Sequence, residues 1–421
     1  MRAQMRHDAM AVAEDLPEDG LAVVNGGAGL DTPAGRLSLI VHHQMEPLEN
    51  SWRELEADPW NSLHQSFDWC RAWVQTHGHP LAIVEGRLNS QTAFLLPLEI
   101  DRQFLLRRAQ LVGSPFTNFN SGLFSATFRQ VAAEIAPHDL ETLFIHALHD
   151  HADLLSLTHV PLDWRGERHP LAALPHVQNQ NPSFQLPLCA TMEESIAPLN
   201  AKSRRKKYRA QIRKLEAAGG YEHIRPTQLS EQQALLECFF QQKAARFAAV
   251  GLPNVFQPAE TQAFFRMLLE SDRGGSDVPL ELHAIRLKGE YEGKIAAITG
   301  LSRKGDHVIC QFGSIDDSLV PDASPGELLF WLVIERSALT GAAVFDFGIG
   351  DQDYKRRWCN IQTVHHDILL PIRPAGRFAA MTHRGMTRTK TLIKGNPHLY
   401  ALIQRWRAMG TSGQPPAKSD D

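Results

Sequence analysis

Residues 310–358 read CQFGSIDDSLVPDASPGELLFWLVIERSALTGAAVFDFGIGDQDYKRRW. Gln311 to Ile315 has the composition of a buried strand end, and an acidic, proline-punctuated loop follows from Asp316 to Ala323. Ser324-Pro325-Gly326-Glu327 predicts a helix start. Serine is a favoured N-cap, proline fits the first helical position, and a glutamate three residues after the cap suits a capping box. The helix should run to about Leu339 and stop at Gly341. Ala343 to Phe347 predicts a short buried strand carrying Asp346; Gly348 and Gly350 then free the backbone, and Asp351 to Trp358 is dense with charge. A strand, a helix, a second strand and a polar tip at the strand end make an α/β arrangement, in which ligands bind beyond the strand ends.

The ordered set S-P-G, a helix of about four turns, a glycine, a D-F-G strand and G-D-x-x-Y-K-x-x-W resembles the two-domain branch of the GNAT N-acyltransferase superfamily. That branch holds the CelD-like proteins of bacterial exopolysaccharide operons and is akin to the Fem-type aminoacyltransferases. Weaker matches extend from about Leu37 to Leu370. The resemblance implies two tandem GNAT-like α/β domains and transfer of an acyl group from acyl-CoA to an amine, on a sugar or nucleotide sugar. The GNAT pyrophosphate loop, Q/R-x-x-G-x-G/A, is absent. An aminoacyl-tRNA donor, or a non-catalytic module partnering a polysaccharide synthase, therefore stays open.

Outward from this stretch the pattern recurs. Leu81–Val84 and Thr92–Leu98 predict a hairpin, as do Leu282–Leu287 and Lys294–Leu301, each pair following two helical segments. A chain of 421 residues exceeds one ordinary core. The expected division is a disordered arm over 1–36, one GNAT-like domain over 37–185, an acyltransferase domain over 186–374, basic helices over 375–410 and a disordered tail over 411–421. In the first domain, Phe67, Trp69, Trp73 and Val74 share a helical face expected to be core.

Composition excludes several classes. The net charge of −4 gives no general pull toward nucleic acid, and no DNA-reading motif is present, so DNA is not an expected partner. Five scattered cysteines without C-x-x-C predict free thiols in a cytoplasm. No signal peptide or membrane span is expected. Twenty histidines include the pairs His42-His43 and His365-His366, but neighbours on a strand face opposite ways, and no metal is expected.

Amine acylation needs a carbonyl held beside an unprotonated amine and charge to stabilise the oxyanion. Lys355 is the candidate for that charge, or for a substrate phosphate; Tyr354 for protonating the leaving thiolate; Asp346 or Asp351 for accepting the amine proton. Ser324, Gly326 and Glu327 are the candidate phosphate site at a helix start. Residues 202–214 carry eight bases and no acid, and Arg205 and Arg209 border the apolar stripe of Tyr208, Ile212 and Leu215, placed to clamp coenzyme A phosphates. Lys243, Arg246 and Arg356 complete the set as substrate-binding residues facing the pocket. The plain readings of the same residues are a helix cap, a solvated charged loop, a solubilising helix face and a surface pair. Finally, residues 371–410 carry eight bases and no acid beside Phe378, Met381 and Leu392, a composition suited to peripheral contact with a membrane.

Overall fold

The structure, a computed structural model, describes residues 29–395 apart from 272–274, 276 and 317. The first half runs β1 (Gly29–Thr32), β2 (Gly35–His42), α1 (Glu49–Glu56), α2 (Phe67–His77), β3 (Ile83–Leu88), β4 (Gln91–Leu96), β5 (Leu98–Gln103), β6 (Leu106–Leu111), β7 (Leu123–Phe124), α3 (Ala126–Ala132), α4 (Pro137–Leu148), β8 (Leu154–Pro161), β9 (Asp163–Trp164), β10 (Glu167–Arg168) and β11 (His176–Gln178). The second runs β12 (Ser183–Pro187), α5 (Met192–Ile196), α6 (Ala201–Ala217), β13 (Tyr221–Ile224), α7 (Leu229–Val250), α8 (Ala259–Glu270), β14 (Val278–Leu287), β15 (Ile295–Lys304), β16 (His307–Ile315), α9 (Pro325–Leu339), β17 (Val344–Ile349), α10 (Asp353–Trp358), β18 (Ile361–Thr363), β19 (His365–Pro371) and α11 (Pro374–Gly395).

Local chemistry accounts for the boundaries. Ser66 caps α2 by accepting from Trp69 N–H, and Gly78 ends it at φ +64°. Asn89 and Ser90 both take positive φ between β3 and β4, the turn that matches strand twist. Two expectations change. The arm is shorter than 1–36, because β1 and β2 form a hairpin closed by Thr32 Oγ1 donating to Gly35 O at 2.6 Å. The charged run after Gly350 is a helix, α10, and not a loop. Residues 1–28, the part of the expected basic helices beyond 395 and the expected tail over 411–421 lie outside the described residues.

The chain is mixed α/β. The first half supplies a sheet in the order β1-β2-β3-β4-β7 and most of a second, β11-β19-β8-β6-β5. The second half supplies β13-β14-β15-β16-β17-β12-β18. Each half contains a parallel pair reached by a helical crossover: β6 and β8 through α3 and α4, β16 and β17 through α9. The second half also supplies a strand to the first half's sheet: β19, from far along the second half, lies beside β8, while β12, where the chain passes between the halves, lies beside β17. The expected boundary at 185/186 therefore falls inside a strand of the second sheet. One core is shared between the halves, where Trp69 and Trp73 of α2 meet Phe264 of α8 edge-on at 5.3 and 5.2 Å. This brings the strand ends of the second sheet against loops of the first half.

Candidate active site

The parallel register of β16 and β17 holds over three pairs, His307–Val344, Val308–Phe345 and Ile309–Asp346. Beyond them β16 continues to Ile315 and β17 to Ile349, and the strands part. Asn118, from the loop before β7, enters this gap. Its Nδ2 donates to Gln311 Oε1 at 3.2 Å, and its Oδ1 accepts from Ile349 N–H at 3.4 Å. Gly348 makes room for it: a Cβ there would lie 2.9 Å from the Asn118 side chain, at φ +72°. A buried network holds the Asn118 loop in place. Gln65 donates to Asn120 Oδ1 at 2.8 Å and accepts from Ser121 N–H at 3.0 Å, while Ser62 Oγ donates to Phe119 O at 2.6 Å. His64 extends it. A carbonyl can only accept, so Nδ1 donates to Phe119 O at 2.9 Å and Nε2 accepts from the Gln311 amide at 2.9 Å. Burial pushes His64 down to about 4, consistent with that neutral tautomer.

Asp346 ends the paired stretch and is 1 % exposed. It accepts from the Gln185 amide at 2.7 Å and from Gly348 N–H at 2.7 Å. His307 Nε2 stands 3.4 Å from Oδ2, the oxygen that also accepts from Gln185, and falls short of hydrogen-bond geometry. Burial works against its charge, but His307, Gln185 and Gly348 together hold the carboxyl below its ordinary range. Lys355 is 4 % exposed. Its ammonium donates to Ile349 O at 2.6 Å and Gly348 O at 3.3 Å, tying α10 back to the end of β17. Burial pushes Lys355 down to about 8.

The other expected residues divide. Tyr354 sits on α10 with its ring stacked on Phe330 of α9, centroids 5.6 Å apart. Asp351 and Arg356 form a two-pronged ion pair at the outer end of the gap, both bonds 2.6 Å. Ser324 differs from expectation: it takes φ +50° and its side chain makes no capping bond. Glu327 is not in a capping box either; its carboxylate pairs with Lys207 and lies 3.4 Å from Arg357 Nη2. Gly326 packs against Ile315, whose Cδ1 would lie 2.4 Å from a Cβ. The basic helix α6 does lie along this helix start, but by the other flank of its apolar stripe. Lys207 reaches Glu327, Lys214 Nζ donates to Asp322 O at 2.6 Å, Gln211 donates to Ser324 O at 3.4 Å, and Arg204 lies 4.0 Å over the Trp358 ring. Arg205 instead pairs with Glu193 at 3.2 Å, and Arg209 is exposed on the far flank.

Lys243 lies on α7 with its ammonium 5.5 Å from the Phe247 ring centroid. Its charge and that of Lys355 both act on the Cys310 thiol, which burial pushes up. Arg246 is half-buried one turn on. Sequence reasoning missed His64, Asn118, Gln185, His307 and Gln311. The run Asn118-Phe119-Asn120-Ser121-Gly122 was the available signal: polar groups alternate with an aromatic where a loop was expected. A separate cavity of about 280 Å³, lined by Arg225, His283, Arg303 and Arg336 among others, lies at the opposite ends of β15 and β16, away from this gap.

Residues 202–356 match the family model described as an acetyltransferase (GNAT) domain. No curated protein sequence matches the chain. The fold is similar to that of the crystal structure of FemX, with a TM-score of 0.57 at 11% identity over 81% of this chain and 99% of that one. It is similar to a conserved protein of unknown function from Bacteroides thetaiotaomicron VPI-5482, with a TM-score of 0.51 at 11% identity over 79% and 99%. It is also similar to the C-terminal domain of a putative lysylphosphatidylglycerol synthetase from Agrobacterium fabrum, with a TM-score of 0.50 at 12% identity over 82% and 97%. Residues 202–356 are thus similar to a GNAT acetyltransferase domain, set within an α/β fold of the kind FemX has.

Proposed function

We propose that the chain moves an acyl group from acyl-coenzyme A to the amine of a small-molecule acceptor at the outer end of the gap between β16 and β17. The observation that carries this reading is the parting of the strands after Ile309 and Asp346, beside the start of α9. Crevices at the carboxyl ends of parallel strands are where α/β sheets hold ligands. The donor's phosphates fit the junction of α6 and α9. Lys207, Arg204 and Arg357 gather there around Glu327, Lys214 holds the Asp322 carbonyl ahead of the helix, and the first turn of α9 offers free N–H groups. These, and not Arg205 and Arg209, are the basic residues we assign to the donor.

In the proposed reaction the acceptor nitrogen attacks the thioester carbonyl carbon, and the carbon–sulfur bond breaks. Tyr354 gives its proton to the departing thiolate, and Asp351 takes the proton the amine loses. Asp346 is too enclosed for that task; it orients Gly348 and His307. Lys355 holds the Gly348 and Ile349 carbonyls, so the backbone at the strand end keeps one shape during the reaction. By resemblance to the exopolysaccharide-operon branch, the acceptor is an amino sugar or nucleotide sugar. FemX-like architecture keeps an aminoacyl-tRNA donor as the second reading.

Thermal unfolding with coenzyme A tests the donor. A ligand at a hundredfold excess over its Kd stabilises by about 2.7 kcal/mol. Lys207→Ala with Lys214→Ala should weaken coenzyme A binding about tenfold or more by removing charge-assisted contacts. Stabilisation by aminoacyl-tRNA and not by coenzyme A would transfer the assignment to the second reading. Acyl-CoA binding without turnover on any amine would leave a non-catalytic module.

A further inference from the structure

We propose that the end of the first half's second sheet docks on an anionic membrane surface through two exposed apolar elements that stand side by side. The first is the tip of the β5–β6 hairpin. Gln103 pairs with Leu106, so Phe104 and Leu105 form the turn, and both are fully exposed, at 106 % and 97 %. Arg102, Arg107 and Arg108 flank them. A turn in water ordinarily carries Gly, Asn or Asp, and two large apolar side chains there have no folding role to explain them.

The second element is α11. Gly376, Ala380 and Thr387 bury its inner face against the sheet. At about 100° per residue, Phe378, Met381 and Leu392 fall within a sector of roughly 60° on the opposite side. They are 72 %, 65 % and 71 % exposed. Arg377 and Arg388 border that stripe, and no acid occurs between Pro374 and Gly395. An apolar stripe edged by cations is the composition of a helix that lies in a lipid headgroup layer.

The sheet brings the two together. Arg108 pairs with Leu154 across β6 and β8, and Leu154 with Pro371 across β8 and β19. The hairpin tip and the start of α11 therefore lie at the same end, two strand spacings or about 10 Å apart. Asp153 joins them: its carbonyl accepts from Ile372 and Arg373 N–H at 2.9 and 3.1 Å, and its carboxylate accepts from Arg107 N–H at 2.8 Å. Around Phe104, Leu105, Phe378 and Met381 stand Arg102, Arg107, Arg108, Arg373 and Arg377, opposed by Asp101, Asp150 and the already paired Asp153. The excess of positive charge selects an anionic bilayer over a neutral one. Among the described residues no helix is long and apolar enough to cross a membrane, so the contact is peripheral.

Flotation of the full chain with phosphatidylcholine vesicles, with and without about one-third phosphatidylglycerol, tests this. Binding should require phosphatidylglycerol and weaken with salt. Phe104→Ser with Leu105→Ser, and separately Phe378→Ser with Met381→Ser, should each lower partitioning about tenfold or more, since each removes two inserted side chains. All four positions are exposed, so thermal unfolding and coenzyme A binding should be unchanged, which keeps this test separate from the acyl-transfer reading. Absence of binding to the anionic vesicles, or binding that both paired variants leave intact, overturns the proposal. So does self-association in sedimentation velocity that the same variants abolish, because the patch would then be covered by a second copy.

Discussion

Lys355 is first of all a strut. Of its two carbonyl partners Gly348 is buried and Ile349 half-buried, and replacing Lys355 with Met removes their shared donor. Lys355→Met should therefore cost about 1–3 kcal/mol of stability, together with a fall in kcat. The group also leaves a pH signature. Its folded value of about 8 lies below the ordinary 10.5, so the unfolded chain holds the extra proton between those values. Wild-type stability should gain from this group as pH rises from about 8 to 10.5, and Lys355→Met should lack that gain. Urea midpoints of both proteins over that range decide it; parallel curves would mean the amine is not the titrating group. Lys355 was legible from the chain, being framed by two glycines and a strand end. Asn118 was so only as part of the polar run 118–122; that run does not announce that it will meet Gln311 and Ile349.

The crossover β16–α9–β17 was legible because Pro325 and Gly341 punctuate a helix between two apolar runs. Its start was misjudged. Ser-x-x-Glu predicts a reciprocal cap, but Lys207 and Arg357 draw Glu327 away and Ser324 turns left-handed. Tertiary ion pairs outweighed a local motif of about 1 kcal/mol. Arg205 and Arg209 lie on the flank of α6 turned away from α9 for a related reason: both flanks of its apolar stripe are basic, and the chain alone does not say which flank meets α9. On α11, Gly376 is the contact that seats the helix. A Cβ there would lie 1.8 Å from Asp153 O, a backbone atom that cannot swing aside. Gly376→Ala should destabilise by about 1–3 kcal/mol by forcing the helix off the sheet. Faster amide exchange in β8 and β19 would report it; an unperturbed Tm would show that the helix start tolerates the shift.

The repeat of hairpin and crossover was visible as pattern and gave the tandem architecture. The crossing of β19 into the first half's sheet was not visible, because a strand's sequence specifies its faces and not its neighbour. The crossing makes the first half depend on the second. A chain ended at Thr363 keeps nearly all of the first half's sequence but loses the strand beside β8, whereas one ended at Gly395 keeps it. The shorter chain should aggregate and lose its near-ultraviolet circular dichroism, and the longer should stay soluble and keep it. Equal solubility and equal melting of the two would show that β19 is dispensable.

The same crossing sets a timetable for synthesis. About 200 residues separate β8 from β19 along the chain. At ribosomal rates of about 5–20 residues per second, β8 waits roughly 10–40 s for its neighbour. During that interval the run LLSLTHVP presents an open strand edge, the kind of surface on which nascent chains stick to one another. A protein built this way has its greatest need of a chaperone while it is still attached to the ribosome.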